Sequence, residues 1–339
     1  MRVITFGEIM LRLAPLGYYR FFQNDLMQAT FGGGEANVAV SLANYGVDAA
    51  FVTKLPSHAI GQAAVNSLRS LGVDTSSIVR GGKRIGIYYL EKGASQRGSL
   101  CIYDREHSSI QDASPDEFDW ETILDGADWF HFTGITPALG PNMVQACLDA
   151  CRTANSKGIP VSTDLNYRSK LWTREQAREA MSTLCKYVDV CISNEEDAKD
   201  VFGIQAGNSE IQRGDLDHAA YVSVAEQLMA RFGFRKVAIT LRSSHSASDN
   251  GWAVMLYDGQ KSCFSRSYDI HIVDRVGGGD SFAGALIYAL LNNYSLEEAA
   301  EFSAAASALK HSVEGDFNRV TLEEVLRLAG GNASGRVQR

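Results

Sequence analysis

The sequence predicts an α/β protein of three layers, α/β/α, with a central, mostly parallel sheet and a small β-sheet lid. Three observations lead there. Short runs rich in β-branched and aromatic residues recur at 3–6, 49–53, 129–132, 161–164, 188–192 and 237–241, and each reads as a buried strand. Between them, 36–45, 59–71, 143–155, 174–185 and 222–231 carry apolar residues at three- and four-residue spacing, as helices with one buried face do. That alternation is the βαβ pattern of a parallel sheet covered on both faces.

The third observation is where the pattern breaks. At about 12–32 and 84–112 aromatic and polar residues alternate, as in Gly86-Ile87-Tyr88-Tyr89-Leu90-Glu91 and Leu100-Cys101-Ile102-Tyr103-Asp104-Arg105, and no helical period is present. These stretches read either as a separate small sheet over the ends of the main strands or as an antiparallel edge of the main sheet. Beyond 237–241 come Asn250-Gly251, a strand-like 252–257 and Asp258-Gly259. Asn-Gly and Asp-Gly favour tight hairpin turns, so an antiparallel meander is expected to close one edge. The polar stretch 203–218 reads as a mobile surface loop and 330–339 as a frayed end. A single core stops growing at roughly 250 to 300 residues. The chain is therefore expected to form one domain, 1–339, with the lid as insertions.

Composition narrows the function. The chain has 339 residues, 45% hydrophobic and 21% charged, which suits an ordinary globular protein with a large core. A formal net charge of -8 argues against a nucleic-acid or anionic-membrane surface. Neither a signal-peptide pattern at residues 1–7 nor a membrane-span length of apolar residues is found, so a cytoplasmic protein with a small-molecule partner is expected. Six cysteines are scattered without CxxC spacing and read as buried thiols rather than a zinc site or disulfide framework. Cys147 and Cys151 share a helix face, for which small apolar core positions are the plain explanation. His131, between Phe130 and Phe132, reads as a core residue.

The strongest local signal is Asp274-Arg275-Val276-Gly277-Gly278-Gly279-Asp280-Ser281-Phe282, which opens a helical run. Glycine lets successive backbone N–H groups converge on an anion, and a helix N-terminus adds the positive end of its dipole. A phosphate suits this place, and so does a plain N-cap at Asp280. A second cluster, Phe31-Gly32-Gly33-Gly34-Glu35-Ala36-Asn37, also opens a helix. It suits a hinge, and it lets a polar ligand approach the backbone at Gly33 and Gly34 with the Asn37 side chain free for hydroxyls. A simple helix start fits there too. Gly82-Lys83 is no Walker loop, because Ser77 stands where the first glycine belongs and Arg84 follows the lysine. No GxGxxG follows the first strand, which weighs against a dinucleotide dehydrogenase.

Together the two glycine clusters resemble the two signatures of the ribokinase-like, or PfkB, carbohydrate kinases, and the similarity extends over essentially the whole chain. Tyr103-Asp104-Arg105, the stretch from Asp164 to Trp172, Asn194-Glu195-Glu196-Asp197-Ala198 and Ala308-Leu309-Lys310-His311 resemble the 2-keto-3-deoxygluconate kinase branch. Three departures stand out. Arg275-Val276-Gly277-Gly278-Gly279-Asp280 replaces the general Thr-x-Gly-Ala-Gly-Asp. Asp197 replaces a Glu three residues after Asn194. Gly7-Glu8 ends the first strand in place of an early substrate-binding Asp.

The resemblance implies a ribokinase-like fold and ATP-dependent phosphorylation of the terminal (C6) hydroxyl of a sugar acid, with 2-keto-3-deoxygluconate the expected substrate. Asp280 is expected to accept the hydroxyl proton while the amides of Gly277, Gly278 and Gly279 hold the developing charge. Substrate contacts are expected from Gly33, Gly34, Asn37, Tyr89, Tyr103, Arg105, Ile135 and Arg168, the two arginines meeting a carboxylate that neutral sugars lack. The plain alternatives are an exposed lid strand for Tyr103 and Arg105 and a surface salt bridge for Arg168. Ser193, Asn194, Thr240, Gly277, Gly279, Ala305 and Ala308 resemble nucleotide-site positions, although small residues there also fit simple packing. Asp197 is expected to reach Mg²⁺ through water. ATP and Mg²⁺ are the implied cofactors, with a monovalent cation as a further one. The aromatic-rich lid suggests pairing with a second copy of the chain. A fructokinase-like or other neutral-sugar kinase of the same family stays open, as does a non-catalytic sugar-sensing relative.

Overall fold

A computed structural model describes residues 1–205 and 218–332. Most of the expected loop (206–217) and of the expected frayed end (333–339) lies outside the described residues. Six parallel strands follow one another across the main sheet in the order Asp48–Val52, Arg2–Phe6, Trp129–Thr133, Val161–Asp164, Val190–Asn194 and Lys236–Ser244. Asp249–Tyr257 then runs antiparallel, with Val254 opposite Thr240, and carries Ser262–Phe264 and Tyr268–His271 as antiparallel neighbours.

These strands read as near-continuous apolar runs because both faces are covered. Successive side chains point to opposite faces, so Ile4 and Phe6 join one core layer while Val3 joins the other. The first layer lies under Pro141–Ser156, Arg174–Leu184 and His218–Phe232, and holds Cys147, Cys151, Cys185 and Cys191. The second lies under Gly34–Asn44, Ala59–Arg69, Gly278–Leu291 and Leu296–Lys310. All six cysteines are free thiols, and only Cys101 is partly exposed.

The strand expected at 188–192 lies at Val190–Asn194. Asn250-Gly251 does not turn the chain, because both residues pair inside the hairpin, with Ser244 and Ser243. The reversal lies just before them, where His245 and Ser246 donate backbone N–H groups to the Asp249 carbonyl oxygen and Ser246 Oγ accepts from the Ser248 and Asp249 amides. Side-chain capping of the turn by serine displaces the Asn-Gly preference. At Asp258-Gly259 the expected turn forms, Asp258 Oδ1 accepting from the Gln260 and Lys261 amides.

The two aberrant stretches form a separate four-stranded sheet in the order Met27–Gly32, Met10–Pro15, Ile87–Glu91 and Leu100–Asp104, not an edge of the main one. Arg12 ties this sheet to the rest. It is buried, with Nη2 2.6 Å from Asp274 Oδ2 and Nη1 2.8 Å from Asp316 Oδ1. Removing one partner of a buried ion pair strands the other charge. Arg12→Met is therefore expected to lower stability by about 3–5 kcal/mol in urea unfolding at neutral pH, and Arg12→Lys by less. An unchanged midpoint for Arg12→Met would show that the two carboxylates do not depend on it.

Candidate active site

Ligands of open α/β sheets sit past the carboxyl ends of the strands. Here Glu8, Ile135, Arg168, Asp197 and Arg242 follow or end five consecutive parallel strands and line one cleft of about 470 Å³. Its other walls include the segment 273–280, the start of the helix Gly34–Asn44, Tyr88 and Tyr103 of the small sheet, and Arg105 just past its last strand.

The glycine loop is built from Asp274, whose Oδ1 accepts from the Val276 amide at 3.1 Å and Oδ2 from the Gly315 amide at 3.1 Å. At Gly277 the chain turns left-handed, φ 85°, and a Cβ would run into the Asp316 carbonyl oxygen, so glycine is required twice over. Gly278–Leu291 then starts without a side-chain cap, which leaves the first-turn amides of Gly278, Gly279 and Asp280 without intrahelical partners. Gly278 is pressed against the His311 ring, whereas a Cβ on Gly279 would meet nothing within 4 Å. Of the three glycines, Gly277 and Gly278 answer to packing and Gly279 opens on the cleft.

Asp280 lies inside the first turn, not at the cap. Its Oδ2 accepts from Asn37 Nδ2 at 2.7 Å, while Oδ1 faces Gly34, where a Cβ would stand 3.6 Å away. Burial pushes its carboxyl up to about 6, against the Asn37 hydrogen bond and the positive charges of Arg168 and Lys310. It is ionised at neutral pH yet far more basic than an exposed carboxylate.

Asp164 and Asp197 are among the other carboxylates that line the cleft. Burial, then the charges of Asp197 and Asp280, holds Asp164 well above its ordinary range. Burial lifts Asp197 to about 6, opposed by Arg168. Asn194 caps the helix Glu195–Phe202, accepting from the Glu196 and Asp197 amides, and its Nδ2 donates to Asp197 Oδ2 at 3.0 Å. Asn194 thus orients Asp197 with a side chain already spent on capping. No group of three or more His, Cys, Asp and Glu side chains that could hold a metal occurs among the described residues. Two mutually repelling buried carboxylates still suit Mg²⁺, which keeps most of its waters and takes one or two carboxylates plus phosphate.

The expected residues divide in the structure. Arg168 makes no ion pair among the described residues, only an Nη1 hydrogen bond to the Tyr167 carbonyl oxygen at 3.1 Å. Arg105 is already paired: Nη2 meets Glu8 Oε2, whose other oxygen accepts from Ser108 Oγ at 2.7 Å, and its buried Nε has no partner. Tyr103 lines the cleft with Arg105 and Lys170 over its ring at 5.5 and 5.8 Å. Tyr89 is a correction. Strand alternation turns it away toward Phe21, and Tyr88 faces inward, its hydroxyl bonded to the Asp316 carboxylate at 2.6 Å. Gly33 is held against the Glu8 carbonyl, and the Ile135 amide donates to Thr133 Oγ1. Ser193 and Thr240 line the cleft, whereas Ala305 is fully buried in the core and Ala308 packs on Trp252, Ile270 and Ile272 behind it. His131 is a core residue, lowered to about 3 by burial, with Nδ1 2.8 Å from Ser162 Oγ.

Residues the sequence reading passed over also build the site. Glu35 Oε1 accepts from the Thr133 amide and from the Thr133 and Thr136 hydroxyls at 2.6 to 2.9 Å, and burial lifts the carboxyl to about 7. Arg12 had a signal, a lone cation in Met10-Leu11-Arg12-Leu13-Ala14. Asp316 had none, because its partners come from the other end of the chain.

Phosphoryl transfer asks a protein for positioning and charge stabilisation. The cleft offers both within an α/β/α frame, as carbohydrate kinases of the ribokinase-like fold do. The sequence profile of the pfkB family carbohydrate kinases matches residues 2–321, and the chain belongs to that family. It is 33% identical over 332 residues to a 2-dehydro-3-deoxygalactonokinase of Haloferax volcanii, covering 98% of each chain. The crystal structure of a 2-dehydro-3-deoxygluconokinase from Thermotoga maritima superposes with a TM-score of 0.94 at 52% identity, covering 98% of this chain and 100% of that one. A putative 2-keto-3-deoxygluconate kinase from Enterococcus faecalis gives a TM-score of 0.91 at 26% identity, covering 100% and 99%.

Asp280→Asn separates chemistry from stability. With Asp280 expected as the base, its loss should cost roughly 10² to 10⁴ in kcat. The folded carboxyl titrates near 6 against 3.8 for an ordinary Asp, so folding favours its protonated form. Stability is fullest below about 4, falls as pH rises through 6, and stays reduced above. At pH 8 Asp280→Asn should therefore melt higher than the wild type, by up to a few kcal/mol at roughly 1.4 kcal/mol per unit, and the gap should close toward pH 4. Full turnover in the variant would remove Asp280 from the chemistry.

Proposed function

We propose that the protein transfers the γ-phosphate of ATP to the terminal hydroxyl of a 2-keto-3-deoxy sugar acid, 2-keto-3-deoxygluconate above all. The observation that carries this is Arg168, a guanidinium without an ion pair among the described residues, whose charge is felt by Asp164, Asp197, Asp280 and Tyr103 in the cleft. A sugar carboxylate satisfies it, bidentately, where a neutral sugar cannot. The Haloferax and Thermotoga relatives, a 2-dehydro-3-deoxygalactonokinase and a 2-dehydro-3-deoxygluconokinase, agree with a keto-deoxy sugar acid.

In this reaction Asp280 Oδ1, facing Gly34, takes the proton of the terminal hydroxyl as that oxygen attacks phosphorus in line. Asn37 holds the other carboxylate oxygen, so one lone pair is kept aimed at the substrate. The first-turn amides of Gly278–Leu291 receive the phosphoryl oxygens as charge builds. Mg²⁺ neutralises the polyphosphate when bound, and Asp164 and Asp197 would hold it through water. Lys310, buried behind Gly277 with Nζ 3.2 Å from the Val313 carbonyl oxygen, supplies a fixed cation there. The small sheet acts as the lid: Tyr88, Tyr103 and the Arg105–Glu8 pair form the wall over the sugar. Its exposed Leu100, Ile102 and Phe22 favour pairing with a second copy of the chain. No helix among the described residues is long and apolar enough to cross a membrane, in keeping with action on diffusible substrates in the cytoplasm.

A panel of 2-keto-3-deoxygluconate, its galactonate epimer, fructose and ribose, with ADP release as readout, should give turnover on the sugar acids. Arg168→Ala should cut kcat/KM for them about 10- to 100-fold, the worth of a charge-assisted hydrogen bond, and leave any neutral-sugar activity unchanged. Equal losses on both classes would refute the carboxylate contact and favour a neutral-sugar kinase.

A further inference from the structure

Two arginines of the cleft stand outside everything described so far. Arg242 lies on the strand Lys236–Ser244, two places along the sheet from the strand that leads to Arg168. It is exposed, lines the cleft, and has no ion pair among the described residues. Across the hairpin it faces Trp252, whose ring is 5.3 Å from that of His311, the residue pressed on Gly278. Arg275 belongs to the glycine loop itself, two residues before Gly277, at the position where the general family pattern has Thr. It is half-buried and touches only neutral groups. Its Nη2 is 3.4 Å from the Ala247 carbonyl oxygen, and Nη1 is 3.2 Å from the Asn250 amide oxygen in the orientation that also satisfies Asn250's own donors.

Two other arginines of the site have their counter-charge: Arg12 has Asp274 and Asp316, and Arg105 has Glu8. Arg242 and Arg275 instead face each other's charge across the same end of the cleft, and this repulsion, after burial, weakens Arg275's hold on its proton. Two like charges held together beside an uncapped helix N-terminus, with no carboxylate supplied, are a pre-formed site for a multiply charged anion.

We propose that Arg242 and Arg275 clamp the polyphosphate tail of the nucleotide donor against the first turn of the helix Gly278–Leu291. The proposal rests on the kinase assignment and adds to it the residues that tell ATP from AMP. The sugar acid's carboxylate, the other anion in the reaction, is met at Arg168, so the cleft sorts its two anionic ligands by position. Grip on the tail also holds the γ-phosphate in line with the hydroxyl near Asp280, since Arg275 and Gly277 share one short loop.

Titration calorimetry of the full chain with Mg-ATP, Mg-ADP and AMP tests this. Arg275→Ala and Arg242→Ala are each expected to weaken Mg-ATP binding about 10- to 100-fold, Mg-ADP less, and AMP by under about 3-fold. Affinity for the sugar acid should be unchanged, and Arg275→Lys should recover part of the loss because it restores the charge without the fork. Wild-type Mg-ATP affinity should fall with added salt more steeply than that of the double variant. AMP and ATP weakened equally would mean that the arginines only shape the site. A rise in KM for the sugar acid alone would move them to the acceptor, and no change would leave the tail held by the helix; each result overturns the clamp. Should Arg275→Ala fail to fold, Arg275→Gln with the same ligand series decides between these outcomes. Failure of the wild type itself to bind Mg-ATP would instead sink the kinase assignment, which keeps the two failures apart.

Discussion

The geometry of the glycine loop depends on one buried guanidinium. Arg12 leaves the small sheet, enters the interior, and spans the carboxylates of Asp274 and Asp316, 262 and 304 positions away in sequence. Asp274 in turn receives the amides of Val276 and Gly315, and Asp316 the hydroxyl of Tyr88. Without the cation two buried carboxylates would lose their counter-charge, and the loop that delivers Gly277 in its left-handed conformation would lose its anchor. The small sheet and the glycine loop are therefore one mechanical unit, and under the proposed function a shift of that sheet over a sugar would reach the helix N-terminus.

Charge then sorts the cleft. Asp164, Asp197 and Asp280 line one cleft, the charges of the other two add to burial in raising Asp164, and Arg168 is the cation that opposes the rise in all three. A divalent ion and a substrate carboxylate relieve this crowding from opposite directions, one answering the acids and the other answering the arginine. At the nucleotide end the imbalance is reversed, with two guanidinium groups and a helix dipole and no acid of their own. Under the proposed function each ligand completes a charge pattern that the cleft's own residues leave unbalanced.

Much of this was legible from the sequence. The βαβ alternation gave the strand set and the helices to within a few residues, because parallel strands buried on both faces write themselves as apolar runs. Asp280 and the two glycine clusters could be picked out since glycine at a helix entry is a local demand of the backbone. Other features could not. Tyr88 and Tyr89 are adjacent and chemically alike, and only the pleat of the strand decides which one faces the cleft. Asn250-Gly251 matched a turn signal, yet side-chain capping by Ser246 placed the reversal a few residues earlier. Arg105 looked like a free carboxylate binder because its partner, Glu8, is 97 residues away. Pairings at such separations are tertiary facts, and local patterns carry no trace of them.

The proposed reaction turns on a single carboxylate as its base, lifted by burial and restrained by Asn37. The pH dependence of kcat/KM on 2-keto-3-deoxygluconate between pH 5 and 8, in the wild type and in Asn37→Ser, tests it most directly. The wild type should gain activity with unit slope through about 6 and level off above, as Asp280 loses its proton. Asn37 stabilises the charged form, so weakening that hydrogen bond should move the acid limb to higher pH. A flat wild-type profile, or a limb that stays in place when Asn37 is changed, would contradict Asp280 as the base.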